Sequence, residues 1–158
     1  MAGVITQKRL KKYVSLKMER DNELKRLEQL QKDAGVSGSS ATWEGDGSQR
    51  SIYVNTDAIP KAIIRKMEQE EKIAANIARI DKEMIYIEDQ ISDMEDPMHK
   101  EVLRLRYLDG DHCRWTPWEE VSEWIYHGVE EKHMKATYRL HGYALEALRI
   151  QTMPQDCP

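Results

Sequence analysis

The apolar residues between positions 73 and 94 alternate four-residue and three-residue steps along the chain. They are Ile73, Ile77, Ile80, Met84, Ile87, Ile91 and Met94. This heptad spacing is typical of a helix that buries one seam against another helix. It predicts a helix from about Ala58 to Met94, with Asp57 as its N-cap and Pro60 in its first turn. Such a helix is roughly 55 Å long, at 1.5 Å per residue, and cannot bury its seam alone.

A second periodic segment runs from about Thr6 to Lys32 and is more highly charged. Its apolar residues are Leu10, Tyr13, Val14, Leu16, Leu24, Leu27 and Leu30, the last three of which share one helix face. We expect this helix to end at Gly35. It is one candidate partner for the seam, as an antiparallel hairpin, and a second copy of the chain is the other. The sequence does not decide between the hairpin and a homodimer formed through the coiled coil.

The start of that helix carries a basic cluster, whose residues are Lys8, Arg9, Lys11 and Lys12. The cluster suits a solvated helix end, and it also suits a contact with phosphate or with an acidic partner. Gly, Ser and Asp then dominate residues 33–57, which we expect to form a flexible loop. The predicted domains are a helical hairpin or coiled coil over 1–94, containing the loop 33–57, a second domain over 95–150, and a tail over 151–158.

The second domain begins with two short predicted helices. Asp96 and Pro97 cap and open the first, and its apolar face is formed by Met98, Val102, Leu103, Leu105, Tyr107 and Leu108. Asp109-Gly110 ends it, with the glycine expected in the left-handed conformation. The run Thr116-Pro117-Trp118-Glu119 is a capping box in sequence form and opens the second helix. That helix is expected to bury Trp118, Val121, Trp124 and Ile125 and to end at His127-Gly128.

The last predicted helix, from about Glu130 to Ile150, separates apolar from basic residues. Leu140, Ala144 and Leu148 share one face, and Lys132, Lys135 and Arg139 lie opposite them, with Gly142 next. A recognition helix divides its faces in this way, and so does an ordinary amphipathic helix with a solvated basic face. On the first interpretation Arg139 reads guanine or holds phosphate, and the two lysines hold phosphates.

Composition narrows the function classes. The 158 residues carry 24 Lys and Arg against 28 Asp and Glu, a formal charge of -4, and the part from Asp96 onward has 8 against 11. No apolar run is long enough to cross a membrane, and no signal peptide is visible. The two cysteines make neither a disulfide framework nor a metal cage. Adjacent His112 and Cys113 are not at metal-ligand spacing. We therefore expect a cytoplasmic protein that is not an enzyme and has no cofactor.

Three runs of the last third carry a resemblance to a known family: Val102–Gly110, Trp118–Val121 and Tyr138–Arg149. Together they resemble the fourth region of sigma-70-type factors, in which an "LRYxxG" helix precedes a "TWEEIA"-like helix and a recognition helix ending in "ALxxLR". With a coiled coil in front, the whole chain is similar to the small phage-encoded regulators of the ArpU and RinA type, which control late phage genes. The resemblance implies an all-α fold, a long helical hairpin or coiled coil followed by a sigma-like helix-turn-helix.

The same resemblance implies a transcription regulator of the bacterial host cytoplasm that binds double-stranded promoter DNA, together with host RNA polymerase. By position, Met134, Lys135, Tyr138 and Arg139 match the family's base-reading and phosphate-contacting sites. The chain departs from the family at its turn, which is expected to extend from His127 to His133 and to bring acidic Glu130 and Glu131 near the phosphates. Both the turn and the net acidic domain predict weak DNA binding by the protein alone.

Two other functions remain open at this point. Small terminase subunits, which bind phage DNA for packaging, also join a helix-turn-helix to oligomerising helices. In the third interpretation the same domain binds a host protein and inhibits it, for example a defence factor.

Overall fold

Every regular element that the structure describes is a helix, which confirms the all-α prediction. The structure is a computed structural model that describes the backbone of residues 3–39, 59–110 and 114–155 and the side chains of 3–33, 61–110 and 114–155. Its helices are α1 (Gln7–Ser39), α2 (Ile59–Ser92), α3 (Pro97–Leu103), a π-helical segment (Arg104–Leu108), α4 (Trp118–Tyr126) and α5 (Glu131–Thr152).

The two long helices differ in their ends from the prediction. Helix α1 continues to Ser39, past the expected stop at Gly35, so the start of the predicted loop is helical. A glycine inside a helix costs only about 1 kcal/mol relative to alanine, which the rest of a long helix can offset. Helix α2 begins at Ile59 and has Pro60 in its first turn, as expected. The rest of the predicted loop and the Asp57 cap lie outside the described residues.

The chain forms two compact units that divide both long helices. One unit contains Met1–Glu19 and Ile80–Pro158, and the other contains Arg20–Arg79. The boundary expected near residue 95 is therefore not where the units divide. The start of α1 and the end of α2 belong with the C-terminal helices because Leu10, Ile87 and Leu148 bury their side chains in one common core.

The second half of the heptad seam is buried as its spacing predicts. Ile80, Met84, Ile87, Ile91 and Met94 are buried, whereas Ile73 and Ile77 are half-buried. The start of α1 covers the buried half from within the same chain. Arg9 pairs with Glu83 at 2.6 Å (Nε to Oε1), and the Tyr13 hydroxyl donates to Glu88. This half of the seam is thus satisfied within one chain, and the homodimer stays a prediction.

The expected apolar face of α1 is only partly covered in the unit Arg20–Arg79. Leu27 and Leu30 are half-buried, but Leu24 is exposed, and Glu23 is buried one position earlier. The Glu23 carboxylate is retained there by an ion pair with Arg26 on the next turn. The prediction from leucine spacing was therefore wrong at Leu24, where the neighbouring Glu23 is buried instead.

Helix α3 starts as predicted and ends differently. The Asp96 carboxylate accepts the backbone N–H of Met98 at 2.8 Å, and Pro97 occupies the first turn. A π-helical segment follows, in which the Asp109 N–H donates to the Arg104 carbonyl at 2.9 Å. Its wider turn lets the buried set Val102, Leu103, Leu105 and Tyr107 point into the core. Met98, expected on that face, is exposed.

Gly110 serves a purpose that the sequence did not indicate. It does not adopt the left-handed conformation expected of a helix-ending glycine. A Cβ at this position would lie 2.4 Å from the Arg114 carbonyl oxygen, so the close approach of two backbone segments requires glycine.

Two predictions about α4 were wrong, namely its side-chain cap and the burial of Trp124. The helix begins at Trp118 after Pro117, and no side chain caps it. Instead, the Thr116 N–H donates to the Arg106 carbonyl oxygen at 3.2 Å. The Thr116 carbonyl oxygen accepts a hydrogen bond from Arg106 Nη1 at 2.6 Å. Trp124 is 70% exposed, while Val121 is buried. At the other end the helix stops before His127-Gly128 as predicted, and His127 takes the left-handed conformation, with φ of 56°.

The two sides of α2 provide a matched test of the core. Replacing buried Ile87 with alanine should lower the free energy of unfolding by about 2–5 kcal/mol, because the lost contacts leave a cavity. Exposed Ile85, two residues away on the same helix, should lose no more than about 0.5 kcal/mol in the same substitution. Urea denaturation of both variants measures the difference, and equal losses would contradict the burial of the seam.

Candidate nucleic-acid interface

Helix α5 buries one face and exposes the opposite one. Thr137, His141, Ala144 and Leu148 are buried, and both α3 and α4 pack against this helix. Leu140 is half-buried beside them. The basic residues predicted for the opposite face, Lys132, Lys135 and Arg139, are all exposed. The structure therefore presents these three cations to solvent on a helix whose other side is fixed in the core.

The turn before α5 is short and held by specific contacts. It covers only residues 127–130, because α5 begins at Glu131, so the longer turn expected up to His133 was wrong. The Ser122 hydroxyl donates to the Gly128 carbonyl at 2.6 Å. A Cβ on Gly128 would meet the His133 ring at 2.5 Å, so glycine is needed for this ring to pack over the turn. These contacts fix where the first turn of α5 begins.

The exposed lysines are paired with the two acidic residues at the start of α5. Lys135 lies 2.9 Å from Glu131, and Lys132 lies 3.7 Å from Glu130. All four side chains are well exposed, and such surface pairs contribute about 0–1 kcal/mol. A phosphate group can therefore replace either carboxylate at little cost. Arg139 has no ion pair with any residue in the described part of the chain, and its guanidinium is available for a ligand.

The remaining two predicted site residues differ in accessibility. Met134 is half-buried, and Tyr138 is 49% exposed. The Tyr138 ring makes an edge-on contact with Trp118, with ring centres 5.3 Å apart and planes at 74°. Trp118 also contacts the His141 ring at 4.6 Å. Tyr138 is therefore supported from α4 while a large part of its ring faces solvent.

Sequence reasoning missed Arg106 and Trp118 as supports of this surface. The Arg106 guanidinium lies 4.3 Å from the centre of the Trp118 ring, and burial lowers the pKa of Arg106 from its ordinary value. Both residues belong to helices outside α5, so no periodic pattern within α5 indicates them. Only the folding of the chain brings them under Tyr138.

Buried His141 lies beneath the same surface. Its Nε2 is 2.8 Å from the Tyr107 hydroxyl. Burial, followed by the charges of Arg106 and Lys11, lowers the pKa of His141 from 6.5 to about 4. The imidazole is therefore neutral at neutral pH, which agrees with its place between Trp118 and Tyr107.

Comparison with known proteins found no match. No family model, no curated protein and no solved structure is similar enough to this chain to indicate its family. The resemblance to the fourth region of sigma-70-type factors thus stays a prediction, and the function must be argued from the chain's own residues.

The side chains exposed at this surface are cations, carboxylates and an aromatic ring. No group of three or more His, Cys, Asp or Glu that could hold a metal ion occurs among the residues that the structure describes. His112 and Cys113 lie outside them. None of the helices within the described ranges is long and apolar enough to cross a membrane.

The low pKa of His141 makes the stability of the fold depend on pH. Between pH 6.5 and about 4 the unfolded chain binds a proton at this residue that the folded chain does not. The free energy of unfolding should therefore fall by on the order of 2 kcal/mol as the pH decreases through this range, after allowance for solvent screening. Urea unfolding at several pH values measures the loss.

The variant His141→Gln is the control, because it cannot titrate and its amide can still bond to the Tyr107 hydroxyl. Carboxylates also contribute to the pH dependence in this range, so the informative quantity is the difference in stability loss between the two proteins. The variant should lose less stability than the wild type on acidification. Parallel losses would contradict a neutral, buried His141.

Proposed function

We propose that this protein is a phage-encoded transcription regulator that binds promoter DNA through the exposed face of α5, in contact with host RNA polymerase. One observation carries the proposal: Lys135, Tyr138 and Arg139 project from one exposed face of a helix whose opposite face is buried. A helix that follows a short turn and presents such a face suits the major groove of DNA.

Each exposed side chain suits a different part of the DNA. The guanidinium of Arg139, which has no ion pair within the described ranges, can donate two hydrogen bonds to the edge of a guanine, the commonest specific contact in the major groove. Lys132 and Lys135 suit phosphates, which they reach by releasing Glu130 and Glu131. Base contacts give sequence preference, and phosphate contacts fix the position of the helix.

The charge balance favours DNA binding that is assisted by a second protein. The part of the chain from Asp96 onward has 8 basic and 11 acidic residues, which opposes tight binding to a polyanion. If RNA polymerase holds the regulator beside the promoter, the DNA contact becomes a local event at a high effective concentration. A weak interface is then sufficient for occupancy.

The basic face is tested by Arg139→Ala, with Arg149→Ala as the matched control. Arg149 lies on the last turns of the same helix and is paired with Glu146 at 2.6 Å. Loss of Arg139 should weaken duplex binding about 5- to 100-fold if it contacts a base. If it contacts phosphate, the salt dependence should decrease by about 0.9 units. Fluorescence anisotropy at two salt concentrations measures both quantities, and equal affinities for both variants would exclude α5 as the DNA-contacting helix.

The acidic residues of the first turn are tested by Glu131→Gln. Removing this carboxylate frees Lys135 and reduces the repulsion of phosphates, so the affinity for duplex DNA should rise, by about 2- to 10-fold if the carboxylate lies within a Debye length of the backbone. Glu146→Gln, which removes an equal charge at the far end of the helix, should change affinity less. An unchanged affinity for Glu131→Gln would mean that the first turn of α5 lies away from the DNA.

A second candidate function rests on the exposed indole of Trp124. Tryptophan is enriched at the centres of protein interfaces, and 70% exposure of this ring on α4 is unusual for a structural residue. It favours a protein-binding module, which includes the inhibitor of a host protein. One experiment distinguishes the two functions: the tagged chain is incubated with host lysate, treated with nuclease and recovered. Retention of RNA polymerase would favour the transcription regulator, and retention of another host protein would favour the protein-binding module. Trp124→Ala should release that other host protein.

A further inference from the structure

A row of alternating cationic and aromatic side chains extends from the start of α1 to α5. Lys11 Nζ lies 5.4 Å from the centre of the Trp115 ring. The Arg106 guanidinium lies 5.5 Å from the Trp115 ring and 4.3 Å from the Trp118 ring. Trp118 in turn contacts Tyr138. We call these five residues the cation–aromatic row.

Arg106 holds the row together. Its Nη1 donates to the carbonyl of Thr116, which lies between Trp115 and Trp118 in the sequence, at 2.6 Å. Its Nε is buried and has no hydrogen-bond partner among the residues that the structure describes. The negative charge of Glu119, on the first turn of α4, favours the charged form of Arg106 and opposes the lowering of its pKa by burial. The guanidinium is thus committed to the rings and the backbone, and its function is to fix the positions of Trp115 and Trp118.

The ends of the row are open to solvent. Trp115 is 38% exposed and Tyr138 is 49% exposed. Lys8 and Lys11, one turn apart on α1, are both exposed. Gly142 follows Tyr138 by one turn of α5, and no atom outside the local helix backbone lies within 4 Å of where its Cβ would be. Among the described residues, open space therefore borders α5 at Gly142.

The chemistry of this surface differs from that of the α5 basic face. The α5 basic face offers cations, which suit phosphates, and in a duplex the faces of the bases are covered by neighbouring bases. Exposed aromatic rings between cations suit unpaired bases, which stack on the rings while lysine and arginine follow the phosphates. We propose that the cation–aromatic row binds single-stranded DNA, with bases stacked on Tyr138 and Trp115 and phosphates held by Lys8, Lys11 and Arg139.

This binding rests on the proposed use of the α5 face for DNA and extends it to a second form of the same ligand. The proposed single-strand surface includes both the basic cluster of α1 and α5, which are more than a hundred residues apart in sequence. The contact between Lys11 and Trp115 brings them to one side of the unit. An unpaired stretch next to a bound duplex segment would meet both parts of the surface.

The test measures the binding of the full chain to a labelled short oligothymidine and to a blunt duplex of similar length. Trp115→Leu and Tyr138→Leu should each weaken binding of the single strand about 5- to 100-fold, the range expected for loss of one stacked base. Trp115→Leu should leave duplex binding unchanged. Trp124→Leu is the matched control, an exposed tryptophan outside the row, and should change neither affinity.

Further variants separate stacking from a folding defect. Trp115→Phe keeps a ring and should retain single-strand binding, whereas Trp115→Leu should lose it, with both variants showing wild-type helicity. Lys11→Ala should reduce the salt dependence of single-strand binding by about 0.7 units. Unchanged single-strand affinity in both leucine variants would overturn the proposal, as would equal losses in Trp115→Phe and Trp115→Leu.

The two proposals fail in different ways. If only the single-strand proposal is wrong, the protein binds duplex DNA in an Arg139-dependent manner, and its affinity for oligothymidine does not depend on Trp115. If the proposed function is wrong, Arg139→Ala does not change the affinity for duplex DNA, whatever the result with oligothymidine. Duplex binding that Trp115→Leu weakens as strongly as single-strand binding would contradict stacking and would indicate a phosphate surface alone.

Discussion

The burial of the first residues among the last helices is the constraint on which the larger unit depends. Ile5 is buried, and its backbone N–H donates to the Thr152 hydroxyl at 2.8 Å. Leu10 is fully buried in the same core, and Gln7 donates to the Tyr107 hydroxyl. Because the start of α1 and the end of α5 are held together in this way, α1 cannot be displaced without disturbing α5. The same packing brings Lys11 Nζ to 5.4 Å from the centre of the Trp115 ring, so the basic cluster of α1 is more than a solvated helix end.

The sequence predicted the features that depend on local spacing and local chemistry. The heptad seam of α2, the Asp96-Pro97 start of α3, the buried stripe of α5 and the exposure of Lys132, Lys135 and Arg139 all appear in the structure. Each follows from residues within a few turns of one another, where helix geometry alone decides which side chains share a face.

Features that depend on contacts between distant segments were not predictable in this way. Thr116 looks like a helix cap, but the Arg106 side chain and backbone hold its peptide groups instead. Trp124 has the hydrophobicity of a core residue and is exposed, since the buried positions of α4 are Val121 and Ser122. Gly110 is required by the approach of the Arg114 carbonyl, which no local pattern indicates. In each case a tertiary contact decides what the local signal leaves open.

Electrostatics and packing act in different places on this surface. At the start of α5, carboxylates pair with lysines in solvent, so charge can be exchanged for phosphate with little loss of stability. The Arg106 guanidinium is partly buried between two tryptophan rings, so removing this side chain would leave a gap in the packing. The first arrangement is suited to reversible contact with a ligand, and the second is suited to holding a surface in place.

A surface with both arrangements can distinguish two forms of DNA. A duplex offers phosphates and groove edges, which the lysines and Arg139 can contact whether or not the rings take part. A separated strand also offers the faces of its bases, and these gain free energy only from rings that are held rigidly enough to lose little entropy on stacking. The contact between Trp118 and Tyr138 and the position of Trp115 over Arg106 supply that rigidity. On the proposals made above, the fixed part of the surface would discriminate between the two forms, while the exchangeable part would supply the attraction common to both.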